Sequence, residues 1–223
     1  MQWTLKSLST NLPWIINSVY INRMKPTLNQ LMSFDSIIEQ YETEVDQLPE
    51  IHAQNGGGKA RNKSGLIYEN LTLRTAKAVG FDPKKNDYKK SKKTKSGKQI
   101  KNLQVDWHCY REEILKKLIE CKTYLDSCYL KRFIDDALDL HLSPEVPDDV
   151  EFAILAGQNA CGITAYEYNL EKFSDLTGKE IKVFFVNPQV KRNSKKPIYN
   201  AEYRENFVLD SVVYNEFIDW LQK

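Results

Sequence analysis

One short uninterrupted apolar run, FAILAG at Phe152 to Gly157, with a second apolar run, IKVFFVN at Ile181 to Asn187, constrains this chain more than any other feature. A strand with one wet face alternates apolar and polar residues, so a run without alternation reads as a strand buried on both faces. Covering both faces of a sheet takes helices, and the neighbouring segments supply them. Asp126 caps a helix expected from Ser127 to about His141, with Tyr129, Leu130, Phe133, Ile134, Ala137 and Leu138 as its buried stripe and Pro144 closing it. Gly162 to Leu176 reads as a second helix, and Leu209 to Leu221 as a closing amphipathic one.

Upstream, Leu66 to Val79 reads as a helix stopped by Gly80. Ile100 to Tyr110 and Ile114 to Tyr124 read as the two strands of a hairpin, turning at Arg111 to Glu113. Mixed helical spacing over Thr4 to Leu48 predicts two or three helices, interrupted near Pro13 and Pro26. The segment NGGGKARNKSG, Asn55 to Gly65, reads as a hinge or loop, dividing an N-terminal helical region at 1–55 from a core at 56–223. The order of elements specifies an α/β domain, a mixed central sheet flanked by helices.

Apolar residues make up 41% and charged residues 28%, an ordinary globular composition. No apolar run approaches a membrane span, and the N-terminal stretch lacks a basic region leading into an apolar one, so a cytoplasmic protein without membrane contact is expected. Four cysteines and three histidines show no zinc-ligand spacing, which leaves the cysteines as reduced structural thiols. No GxxxxGK[ST] loop is present, so no nucleotide cofactor is expected. The net charge of +2 hides a basic segment, Lys84 to Lys101, with nine lysines against the single acid Asp87, and a second at Val190 to Pro197 with four cations. Such segments suit a polyanion.

Within IECKTYLD, Ile119 to Asp126, alternation places Glu120, Lys122 and Tyr124 on one face with Leu118. A hairpin centred on Glu113 makes opposed residue numbers sum to 226, which sets Asp106 across from Glu120. Two opposed carboxylates repel unless a cation lies between them. A one-residue slip would remove the opposition but not the shared face. Stepping by three and four from Leu66 puts Glu69, Leu73 and Ala76 on one stripe, an acid on a mostly apolar face. One or two carboxylates with water and phosphate oxygens suit magnesium, and a nearby ammonium suits charge building on a phosphate. His52, His108 and His141 offer no comparable constellation.

The segments RNKSGLIYENLTLRTAKAVGF at Arg61 to Phe81, VDWH at Val105 to His108 and LIECKTY at Leu118 to Tyr124 together resemble the PD-(D/E)xK nuclease superfamily. The resemblance spans about Arg61 to Asn187 and departs from the pattern at Val105, where the family has proline. It implies a restriction-endonuclease-like core of αβββαβ type, with Asp106 and Glu120 as metal ligands, Lys122 as the catalytic lysine and Glu69 as the helix acid. It implies Mg2+, replaceable by Mn2+, and a type II restriction endonuclease cutting double-stranded DNA to 5′-phosphate ends. A Holliday-junction resolvase or repair nuclease with the same core, and a DNA-binding module without activity, are the alternatives. A palindromic target would call for a homodimer, with the N-terminal helices in dimer or DNA contacts. The expected phosphate contacts are Lys59, Arg61, Lys63, Lys89, Lys90, Lys92, Lys93, Lys95, Lys98, Lys191, Arg192, Asn193 and Lys195.

Overall fold

The computed structural model describes residues 28–85, 90–93, 99–103, 105–144, 146–188 and 207–223. The helices expected near Pro13 and Pro26, and the cations Lys89, Lys95, Lys98, Lys191, Arg192, Asn193 and Lys195, lie outside the described residues, as do the side chains of Lys90, Lys92 and Lys93.

Three helices come first: α1 (Leu28–Asp46), α2 (Leu48–Asn55) and α3 (Gly57–Ala78). Then follow β1 (Asp82–Lys85), β2 (Lys90–Lys93), β3 (Gln99–Leu103), β4 (Trp107–Arg111) and β5 (Ile114–Leu125). The chain ends with α4 (Ser127–His141), β6 (Glu151–Asn159), α5 (Ile163–Thr177), β7 (Ile181–Phe185) and α6 (Ser211–Gln222). Five strands form one mixed sheet in the order β1-β4-β5-β6-β7, antiparallel across β1, β4 and β5 and parallel from β5 to β7. Strands β2 and β3 pair separately.

Strand β6 is buried on both faces, as its composition requires. From β6, Ala153 and Leu155 enter a core built with α1, α3 and α6, while Phe152, Ile154 and Ala156 enter a second core with α4 and α5. Side-chain alternation does the same in β5, with Ile119 and Cys121 on the first side and Leu118 on the second. Helix α4 has the expected bounds, and the Asp126 carboxylate accepts from the Tyr129 amide at 2.9 Å as its N-cap. Its buried stripe differs: Leu130, Phe133, Ile134, Ala137 and Leu140 are covered, but Tyr129 is exposed.

Three local expectations are corrected. The glycine-rich segment is not a hinge, because only Gly56, at φ 76°, breaks the backbone before α3 starts at Gly57. Ala60 and Ser64 are fully buried there, and the Ser64 hydroxyl lies 3.1 Å from that of Thr123 in β5. Small side chains let the helix lie close on the sheet, and that packing outweighs the roughly 1 kcal/mol that each helical glycine costs.

The expected strand from Ile100 to Tyr110 is two strands, β3 and β4, in different sheets. Val105 packs with α4 while Trp107, two residues on, packs with α3, so the chain must bend at Asp106. The hairpin turn has two residues, not three. Glu112 and Glu113 both have positive φ, 52° and 65°, the conformation that a tight two-residue turn between twisted strands demands.

Candidate active site

Strands β4 and β5 set the site. Trp107, His108 and Cys109 pair with Ile119, Leu118 and Lys117, each pair summing to 226, before a bulge at Lys116 in β5 absorbs the shorter turn. Asp106 lies one residue before β4, and two hydrogen bonds continue the pairing in a different form. The Cys121 amide donates to Asp106 Oδ2 at 2.8 Å, and the Asp106 amide donates to Glu120 Oε2 at 3.3 Å. The aspartate that bends the chain is therefore tied by its own carboxylate to the strand carrying Glu120 and Lys122.

The Lys122 ammonium lies among three oxygens, 2.5 Å from Glu120 Oε1, 3.1 Å from the Cys121 carbonyl and 3.6 Å from Asp106 Oδ2. Burial works against its charge, but Glu120 and Asp106 outweigh burial and hold Lys122 well above the ordinary lysine value. It stays an ammonium at every physiological pH, a hydrogen-bond donor rather than a base. On its outer side, Nζ lies 5.7 Å from the centre of the Tyr129 ring, which packs edge-on against Tyr124 at 6.0 Å.

Glu120 is in the opposite situation. Burial raises its pKa to about 7, with the Asp106 charge adding to the rise and Lys122 opposing it. Its folded-state value lies above that of an ordinary glutamate. The stability it contributes is therefore complete below the unfolded value and is lost as pH rises through about 7. Wild type is expected to lose stability relative to Glu120→Gln between about pH 5 and pH 8. Urea denaturation of both proteins across that range checks it.

The residue between Glu120 and Lys122 points the other way. Cys121 is buried against α3, its sulfur 3.2 Å from the Thr72 hydroxyl, and burial keeps its thiol far above the usual cysteine value. Cys109 is pushed up to about 12 by the same cause. All four cysteines are free, in keeping with reduced thiols.

Glu69 does not lie on the stripe expected for it. The buried face of α3 is Ala60, Ser64, Ile67, Tyr68, Leu71, Thr72, Thr75 and Ala76, and Glu69 flanks it while Leu66 is exposed. Its carboxylate takes the Lys85 ammonium, and its backbone carbonyl accepts from Trp107 Nε1 at 3.0 Å. Of the expected phosphate contacts on α3, Lys59 and Arg61 are exposed and Lys63 is half-buried.

Sequence reasoning missed Lys85 as an individual, since it was one lysine in a run of nine. It also passed over Lys117, buried in β5, which donates to the Trp220 carbonyl at 3.2 Å and pairs with Glu151 at 3.0 Å. Nothing in LKKL marks which lysine turns inward except strand parity.

Among the described residues, no three His, Cys, Asp or Glu side chains converge to hold a metal ion by themselves. The donor set suits a hard divalent cation nonetheless, because two carboxylates and a carbonyl already surround a positive charge, and magnesium takes its remaining ligands from water and phosphate. No family model, no curated protein and no solved structure matches the chain. Among the described residues, no helix is long and apolar enough to cross a membrane.

Proposed function

We propose that the chain is a magnesium-dependent endodeoxyribonuclease of the type II restriction class, hydrolysing double-stranded DNA to 5′-phosphate ends. The observation that carries the reading is the meeting of Asp106, Glu120 and Lys122 in one cluster, the lysine set among oxygens of both carboxylates and the Cys121 carbonyl. The mixed sheet with α3 on one face and α4 and α5 on the other supports a PD-(D/E)xK type of core.

Asp106, Glu120 and the Cys121 carbonyl would hold Mg2+ or Mn2+. When bound, such an ion supplies Lewis-acid polarisation of the phosphodiester and a lowered pKa for water. Asp106 presents its carboxylate from a bend fixed by the Cys121 amide, so little reorganisation is needed. Glu120 must lose its proton to act as a ligand, which makes activity rise with pH towards and through about 7. Lys122, held charged, orients the attacking water by donating to it and stabilises charge gathering on the phosphate. A palindromic target would be met by a homodimer, with the N-terminal helices as its contact region.

Incubating plasmid DNA with the protein and Mg2+, then sequencing the ends, tests the reading. Discrete bands with 5′-phosphate ends are expected. Cleavage confined to branched junctions would replace it with a resolvase, and duplex binding without any cutting would leave only a binding module.

A further inference from the structure

A second ammonium stands at the site. Strand β1 pairs with β4 so that Lys85 lies opposite Trp107, the residue after Asp106. Its Nζ meets Glu69 Oε2, and Glu69 is itself anchored to Trp107 through the indole hydrogen bond. Three elements, α3, β1 and β4, thus interlock at the rim of the Asp106 bend. The Glu69 carboxylate outweighs modest desolvation and, with Asp106 adding to it, keeps the Lys85 ammonium charged. Nearly half of that side chain, 46%, is open to solvent, whereas Lys122 is 24% exposed.

Charge balance shows what this ammonium can do. When ionised, Asp106, Glu120 and Glu69 bring three negative charges. Lys122 and a divalent ion cancel them, which leaves the incoming phosphodiester uncompensated. Lys85 provides the missing positive charge. An ammonium has three N–H donors, of which Glu69 takes one, so two remain for phosphate oxygens. The Glu69 carboxylate is meanwhile engaged by that ammonium, and among the described residues no third acid joins Asp106 and Glu120.

We propose that Lys85 binds the DNA backbone phosphate at the edge of the candidate active site, and that Glu69 is the positioning residue that holds its ammonium there rather than a ligand to the metal. The inference rests on the nuclease reading above and narrows it: Lys85 anchors phosphate, and Glu69 acts through Lys85.

Two measurements on the full chain test it. In metal-free buffer, duplex binding is followed by anisotropy from about 50 to about 200 mM salt; each phosphate contact contributes roughly 0.9 to the log–log slope. Lys85→Ala is expected to lower that slope by about 0.9 and to weaken binding several-fold to about tenfold, with Lys85→Arg restoring the slope. Lys85→Gln, which keeps the stem, gives the same result should alanine loosen β1. In steady-state cleavage, Glu69→Gln should raise KM several-fold and leave both kcat and the Mn2+ midpoint near wild type. A wild-type slope in Lys85→Ala and Lys85→Gln would overturn the phosphate role, and a tenfold or greater rise in the Mn2+ midpoint of Glu69→Gln would make Glu69 a ligand after all. Wild-type protein that neither binds nor cuts duplex DNA would defeat the nuclease reading itself, a separate outcome.

Discussion

Asp106→Ala and Lys122→Ala are each expected to lower single-turnover cleavage of duplex DNA by about a thousandfold or more, while metal-free duplex binding stays within a few-fold of wild type. Removing one preorganised charge-stabilising group in an active site commonly costs 10²- to 10³-fold, and these two residues act on more than one count. Without Asp106 the oxygen cluster loses an acid, and the Cys121 amide loses its acceptor at 2.8 Å. Asp106→Asn is the informative companion, because its amide oxygen can still accept from Cys121 while the charge is gone. Loss of Lys122 also removes the one neighbouring side chain whose charge holds the Glu120 pKa down, so Glu120 would stay protonated to higher pH and bind metal less well. Rapid-quench cleavage beside anisotropy binding makes the comparison. Wild-type cutting by both alanine variants would remove the site assignment.

Gly157→Ala is expected to cost about 3 kcal/mol, lowering the melting temperature by roughly 10 °C, since overpacking a closed core costs about 1–3 kcal/mol and occasionally more. A β-carbon at Gly157 would run into the Tyr68 hydroxyl and sit 2.7 Å from Cζ of that ring and 2.6 Å from the Thr123 carbonyl, all far inside contact distance. Neither obstacle moves easily. Thr123 is strand backbone, and Tyr68 is fully buried with its hydroxyl donating to Asn187 Oδ1 at 2.8 Å. Asn187 in turn donates to the Val208 carbonyl at 2.8 Å, and Tyr41 donates to the Phe207 carbonyl at 2.8 Å, so the tyrosine belongs to a buried network joining α1, α3, the end of β7 and the approach to α6. Thermal denaturation reads the effect directly. A shift of under about 2 °C would mean that α3 is not seated this close to the sheet.

These two effects divide along what the sequence made legible. Strand β5 and helix α4 were readable because parity, the Asp126 cap and Pro144 all act locally. The site-side register was readable too, since the hairpin fixes it by counting from the turn; the two-residue loop and the bulge at Lys116 in β5 cancel, leaving the pairs next to Asp106 as counted. What escaped depends on contacts distant in sequence. Glycine propensity argues against a helix at 57–65, and packing on distant partners, including Thr123 of the sheet, makes one worthwhile. The continuous alternation through Ile100 to Tyr110 hides the bend at Asp106, because Val105 and Trp107 part to opposite cores only once α3 and α4 are in place. Glu69 was placed near the site by resemblance, yet the lysine that engages its carboxylate could not be picked from its run by spacing alone.

The proposed nuclease requires Asp106 and Glu120 to converge on one divalent cation. Crystals soaked in Mn2+ at about pH 8, with the ion located by its anomalous scattering, test it most directly. One Mn2+ is expected within about 2.5 Å of carboxylate oxygens from both Asp106 and Glu120, with the Lys122 ammonium moved out from between them. At saturating Mn2+, a Lys122 ammonium still bound to Glu120 and no ion touching both carboxylates would contradict it.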